Sequence, residues 1–204
     1  MKFGRPDTEF MKWRWKPDEC QLPLFDAAQF LEIARGKSMA FVGDSVARNQ
    51  MESLLCLLAH VSLGIFGCVT FIATSIWSPF LVKSRVADIN GNSRNGIFTL
   101  YLDEADEEWS KEIEKLDYVI VWAVQWFFGP MLLYQNDRLV GCYNRNQNNI
   151  TSISMYHANR TAFETLVSRN NYTSTMFLRT FSAAHYENGE WDKGGNCGRT
   201  RPFT

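Results

Sequence analysis

The sequence predicts an α/β fold, a parallel sheet covered by helices on both faces. Three observations carry that expectation. Strand-like segments alternate with segments of helical period along the 204 residues. Residues 116–123 are almost continuously apolar, as in a strand buried on both faces. The tripeptide Gly43-Asp44-Ser45 separates a short apolar run from a helical one, the strand–turn–helix step of such folds.

Taken in order, Asp26 is placed to cap a helix, with Gln29 three residues on in the capping-box position. Phe30, Leu31 and Ala34 share one face of it, and Gly36 ends it. Residues 38–42 read as a strand. After the turn, Ala47, Met51, Leu54, Leu55 and Leu58 fall on one face of a second helix. Residues 61–77 are apolar but interrupted by Ser, Thr and Gly; they are short for a membrane span and read as buried or irregular, with a transmembrane segment the lesser alternative. Residues 97–102 read as a strand and 103–115 as a charged helix. The apolar strand at 116–123 comes next, then an Asn-rich loop at 144–149. Residues 151–169 form an amphipathic helix through Met155, Ala158, Ala162, Phe163, Leu166 and Val167, and 176–181 the next strand. The length suits one domain, 1–204, with a core of its own.

Composition narrows the function. Hydrophobic residues make up 46% and charged residues 21%, ordinary for a globular chain. A net charge of −1 argues against a nucleic-acid role, which normally needs a basic face. The five cysteines form no CxxC pair and no glycine loop is placed to cradle phosphate, so neither metal nor nucleotide is expected. Seven Trp, seven Tyr and fifteen Phe first of all supply a core; an indole left at the surface would suit a sugar ring. Sequons at Asn149, Asn159 and Asn171, with the cysteines, lean toward a secretory-pathway lumen and disulfides. The first six residues have no signal-peptide character.

The chemistry gathers at Ser45. A serine hydroxyl needs a base to become a nucleophile. The turn between a strand and the next helix exposes it at the carboxyl edge of the sheet. There the helix amino end offers N–H groups to a developing oxyanion. Gly43 permits the tight turn. Asp44 belongs to the same turn, and the plainer reading is that Asp44 and Ser45 cap the helix. Arg48 and Asn49, in the first helical turn, are candidates to steady an acyl oxygen or a sugar hydroxyl. Gln125, beyond the carboxyl end of the buried strand, is a candidate oxyanion donor.

The run 41–50, Phe-Val-Gly-Asp-Ser-Val-Ala-Arg-Asn-Gln, resembles the GDS block of the plant trichome birefringence-like proteins, part of the PC-esterase group of SGNH/GDSL hydrolases. Residues 13–20 are similar to the family's WRWxPxxC segment, and residues 22–25 and 30–31 fit the family's next stretch. Residues 77–82 are similar to WSPFLV, 125–128 to its GQWFF strand end, and 140–142 and 181–197 to later blocks. The resemblance implies a three-layer SGNH-like sandwich with a mostly parallel central sheet, incomplete in this chain. It implies O-acetylation of a cell-wall polysaccharide, xyloglucan or xylan first, in the Golgi lumen, behind an N-terminal membrane anchor and with other acetylation proteins as partners. Ser45 would take acetyl from acetyl-CoA or an acetylated carrier, and a sugar hydroxyl would then attack the acyl-serine. No bound cofactor is implied.

The family's C-terminal DxxH motif has no counterpart here. Three places before His60, His157 and His185 stand Leu57, Ser154 and Ser182. The 204 residues alone are therefore expected to turn over slowly or not at all. His185 is the stand-in base of last resort. The family's upstream anchor and cysteine segment are likewise missing, which would leave Cys20 and Cys56 without their expected partners, as Cys197 would be at the other end. Residues 59–68 stand in for a longer polar segment. Val124, Gly129 and Arg145 stand where the family has Gly, Arg and a second cysteine. A carbohydrate acetylesterase and a non-catalytic glycan-binding protein are the alternatives.

Overall fold

A computed structural model describes residues 8–14, 16–62, 70–87, 96–144, 149–168, 172–180, 186–190 and 193–201. The chain divides into two compact units, Asp26–Thr180 and a smaller one that joins Met1–Phe25 to Phe181–Thr204.

In the larger unit, Asp26 caps α1 (Ala27–Ile33) by accepting the Gln29 N–H at 3.0 Å. Leu31 and Ala34 are buried, as their shared face requires, and Gly36 has a positive φ of 67° just past the helix. β1 (Ser38–Gly43) leads into α2 (Ser45–Ser62). Of the expected α2 face, Ala47 and Leu58 are buried and Met51 and Leu54 pack against the core. Leu55 departs from the expectation: it lies at the rim of that face and stays 42% exposed. The apolar stretch after α2 ends in a strand, β2 (Ile72–Trp77), which pattern reading does not separate from its surroundings. None of the described helices is long and apolar enough to cross a membrane.

β1, β2, β5 (Tyr118–Trp122) and β8 (Thr175–Leu178) form one four-stranded sheet in the order β2-β1-β5-β8, parallel throughout. Alternation decides its two faces. Met39, Phe41, Ile120 and Trp122 face Phe30 of α1 and Met51 and Leu54 of α2. Ala40, Val42, Val119 and Val121 face Trp109, Ile113 and Leu166. Helices on both faces make the three layers expected of an SGNH-like fold.

A second sheet goes beyond what the sequence predicts. β3 (Val82–Ala87), β4 (Ile97–Ala105), β6 (Met131–Gln135) and β7 (Arg138–Tyr143) lie in the order β3-β4-β6-β7. β4 and β6 are parallel, and the outer strands are antiparallel to their neighbours. The charged helix expected over 103–115 is a correction. β4 runs on to Ala105 because its alternation continues, burying Phe98, Leu100, Leu102 and Ala105. Helix remains in α3 (Glu107–Ser110), capped by Asp106, and in a 3-10 turn at Ile113–Lys115.

α4 (Met155–Val167), capped by Ser154, joins the sheets. Met155, Ala158 and Ala162 pack on the mixed sheet, and Leu166 on the parallel one. Val167, expected on the buried face, is exposed at the helix end. Leu81 takes part in the same junction. It sits 1% exposed with φ 64°, a conformation that costs a non-glycine residue of order 1–3 kcal/mol. The twist sends Phe80 into the core of the mixed sheet and Leu81 into that of the parallel one.

In the smaller unit, Glu187 and Asn196 form an antiparallel bridge, and Arg199 pairs with Glu187 at 2.9 Å. Cys20, Cys56, Cys142 and Cys197 form no disulfide with one another, so the expected disulfides do not appear among the described residues.

Candidate active site

Every strand of the parallel sheet ends at the same edge. Gly43 closes β1 with Trp77 of β2 on one side and Trp122 of β5 on the other. Its φ is 145°, and a Cβ built there would lie 1.4 Å from the Trp122 carbonyl oxygen. No other residue fits at this approach. The Asp44 N–H donates to that same carbonyl at 3.2 Å, and the Ser78 N–H donates to the Gly43 carbonyl at 2.9 Å. The turn is held from both neighbouring strands.

Asp44 is 1% exposed. One carboxylate oxygen accepts the Val46 N–H at 2.9 Å, capping α2, and the other accepts the Gln125 N–H at 3.3 Å. Burial raises its pKa; backbone hydrogen bonds from Val46, Gln125 and Val124 and the Trp122 indole oppose that shift. Each of its oxygens therefore holds a backbone N–H. Its place in the site is structural: it ties the start of α2 to the 3-10 turn Gln125–Phe128. Of the sequence's two readings of this turn, capping holds for Asp44.

Ser45, by contrast, is exposed, at the first helical position of α2. The first N–H groups of a helix lack i−4 partners. With Val46 committed to Asp44, the remaining free ends and the helix dipole face the space beside Ser45. That arrangement suits a nucleophile whose product carries a developing negative oxygen. Arg48 and Asn49 are exposed on the same first turn, Arg48 loosely paired with Glu52 at 3.7 Å. Gln125 has its N–H on Asp44 and an exposed side chain. The structure thus brings Gly43, Asp44, Ser45, Arg48, Asn49 and Gln125 to one edge.

Sequence reasoning misses Arg179. It lies just past β8 at the same edge, donates from its guanidinium to Gln50 Oε1 at 3.0 Å and lies over the Trp122 ring at 4.8 Å. Its position beyond a parallel strand is the signal that could have found it. His157 is exposed on α4, and the side chains of His60 and His185 lie outside the described residues. Among the described residues no group of three His, Cys, Asp or Glu is arranged to hold a metal.

Beyond Trp77 a cleft of about 880 Å³ opens over β3 and β4. The Trp77 and Trp126 rings meet edge to face at 5.7 Å on one side of it. Of the sequons, Asn149 is exposed and Asn171 lies outside the described residues. The half-buried Asn159 donates its side-chain amide, the atom a glycan would occupy, to the Ala123 carbonyl.

Comparison with known proteins fits this geometry. Residues 22–204 match the GDSL/SGNH-like acyl-esterase family found in Pmr5 and Cas1p. The chain is 43% identical to the trichome birefringence-like 20 protein of Arabidopsis thaliana over all of its own length and 46% of that protein's. It is 42% identical to xyloglucan O-acetyltransferase 4 of Populus trichocarpa, over 98% of this chain and 52% of the relative. Against xyloglucan O-acetyltransferase 2 of Arabidopsis thaliana the figures are 39%, 100% and 54%. The chain spans about half the length of the curated relatives it matches.

Proposed function

The chain belongs to the PC-esterase family, and on that footing we propose that it carries the nucleophile half of a polysaccharide O-acetyltransferase, with Ser45 as the acyl-accepting group. The observation that carries this reading is the contrast within one turn: Asp44 is buried with each oxygen on a backbone N–H, while the next residue, Ser45, is exposed at a helix amino end.

The proposed reaction has two displacements. In the first, Ser45 Oγ attacks the acetyl carbonyl carbon of the donor, acetyl-CoA or an acetylated carrier. The new O–C bond forms through a tetrahedral oxyanion facing the α2 amino end. The donor bond breaks, its electron pair leaves with the donor, and the serine proton passes to a base. In the second, a sugar hydroxyl attacks the acyl-serine, the acetyl moves to the sugar oxygen, and Ser45 recovers a proton. Arg48, Asn49 and the Gln125 amide line the edge where both attacks occur.

Among the described residues no histidine is shown paired with Ser45. We infer that the 204 residues alone transfer acetyl slowly or not at all, and that a longer chain supplying an Asp-x-x-His pair turns over. The relatives named xyloglucan O-acetyltransferases favour xyloglucan as acceptor. The same reading puts the protein in the Golgi lumen, among other acetylation proteins, with Asn149 the exposed one of the two described sequons.

The experiment is product analysis. The chain, alone and joined to a segment bearing Asp-x-x-His, is given acetyl-CoA and a xyloglucan oligosaccharide, and the sugar is weighed by mass spectrometry. Acetylated sugar from the longer form, abolished by Ser45→Ala, supports transfer. Free acetate with unmodified sugar would favour an acetylesterase instead.

A further inference from the structure

We propose that the cleft beside β2 and β3 is a glycan subsite whose chemistry selects an uncharged polysaccharide over a uronic-acid polymer. It deepens the acetyl-transfer reading, on which the role of acceptor rests.

Its floor is aromatic. Trp77 is 55% exposed and Trp126 37%, although residues of this size ordinarily bury most of their surface. The two rings contact each other, and Trp126 also packs edge-on against Phe80 and Phe98, at 6.1 and 5.6 Å. Two contacting rings in an open cleft present apolar faces to a ligand. The C–H faces of sugar rings fit such surfaces. The volume, about 880 Å³, lies in the range of clefts that enclose small organic ligands, roughly 300–1,000 Å³.

The far wall is acidic. Asp103, Glu104, Asp106, Glu107 and Glu108 line it, with Lys83 the one cation among its described lining residues. Lys83 is paired with Glu104, which weakens what its ammonium offers a ligand carboxylate. Carboxylates accept hydrogen bonds from sugar hydroxyls and repel a chain that carries its own carboxylates. Aromatic floor and acidic wall together fit a neutral glycan.

The cleft is tied to Ser45 by the backbone. Trp77 is the register partner of Gly43, and Trp126 is next in the chain to Gln125, whose N–H is fixed on Asp44. A glycan seated on the two indoles would have its hydroxyls beside the nucleophile's edge.

The test is calorimetric titration of the 204-residue chain with a xyloglucan oligosaccharide and with a galacturonic-acid oligomer of similar length. The neutral oligomer should bind at least tenfold more tightly at low salt, and the gap should narrow as salt screens the wall. Trp77→Ala should weaken neutral binding about tenfold, with Trp77→Phe intermediate. Glu108→Gln should narrow the gap chiefly by improving uronate binding. Melting curves confirm that each variant is folded. Equal binding of both oligomers, or neutral binding indifferent to Trp77→Ala in a folded protein, overturns the proposal. Acylation of Ser45 is scored separately: a chain that binds neutral glycan without forming acyl-Ser45 keeps this subsite and loses the transferase reading, and the reverse outcome does the opposite.

Discussion

In the parallel sheet β2-β1-β5-β8 all four strands run one way, so the chain leaves each of them at the same edge. Trp77, the Gly43–Ser45 turn, the segment after Trp122, and Arg179 are collected there by topology alone. In the mixed sheet β3-β4-β6-β7 the outer strands run against their neighbours, and no edge gathers the turns. That sheet contributes a surface instead: its strand β4 ends in the carboxylates of the cleft wall. One sheet collects turns and side chains at a line, and the other supplies the wall of a cleft.

The largest effect expected from breaking this division is at Gly43. Gly43→Ala forces a Cβ into the Trp122 carbonyl and an alanine into φ 145°. We expect a loss of roughly 4 kcal/mol or more, or failure to fold, read by denaturant unfolding. A variant that melts like the parent would mean that β1 and β5 are not so closely joined.

Leu81, where the two cores meet, sharpens the comparison through an inverted order. In β4, Leu100→Gly should be worse than Leu100→Ala by about 1 kcal/mol. At Leu81 both lose a buried side chain, about 2–5 kcal/mol for Leu→Ala, but glycine relieves the positive φ. Leu81→Gly should therefore be as stable as Leu81→Ala or more so. The usual order at both positions would remove the strained junction.

The smallest effect concerns the two ends of the parallel sheet. At the amino edge, Asp117 pairs with Lys37 at 2.9 Å and accepts the Ser38 N–H and hydroxyl. The Lys37 hydrogen bond, then those from Ser38, hold its pKa down to about 2 from the ordinary 3.8. A depressed carboxylate contributes stability above the unfolded value and loses it as pH falls from 3.8 toward 2. Asp44, at the carboxyl edge, is raised by burial, so the folded protein holds its proton better and its contribution weakens as pH rises above 3.8. Asp117→Asn should flatten the acid limb of a stability–pH curve between about pH 4 and 2 and leave the limb above it in place.

The comparison also explains which parts of the molecule are legible in the sequence. Strands β1 and β5 are covered on both faces, and their apolar runs stand out; α2 announces itself by period and by the Gly-Asp-Ser turn. Asp44 and Ser45 are legible as a pair, but which of them is buried depends on Gln125, eighty-one residues away. β3 (Val-Lys-Ser-Arg-Val-Ala) and β7 (Arg-Leu-Val-Gly-Cys-Tyr) alternate too weakly to read as strands. The β6–β7 hairpin turns on Asn136 and Asp137, both at positive φ, a two-residue turn whose usual glycine is absent. Asp103 and Glu104 read as a helix surface because charge alone does not separate a solvated helix from a strand end lining a cleft. The structure places Trp77 and Trp126 in contact, which no local pattern predicts.

The central claim is that Ser45 accepts an acyl group. Its most direct test is labelling with a serine-directed fluorophosphonate, with the adduct mapped by mass spectrometry, on the 204-residue chain and on a longer form carrying an Asp-x-x-His pair. The account predicts adduct on Ser45 in the longer form, little or none in the 204 residues alone, and loss of it in Ser45→Ala without a change in stability beyond about 0.5 kcal/mol. A longer form that is folded, binds xyloglucan oligosaccharide and leaves Ser45 unlabelled would contradict it, and would make this chain a glycan-binding protein on a hydrolase scaffold.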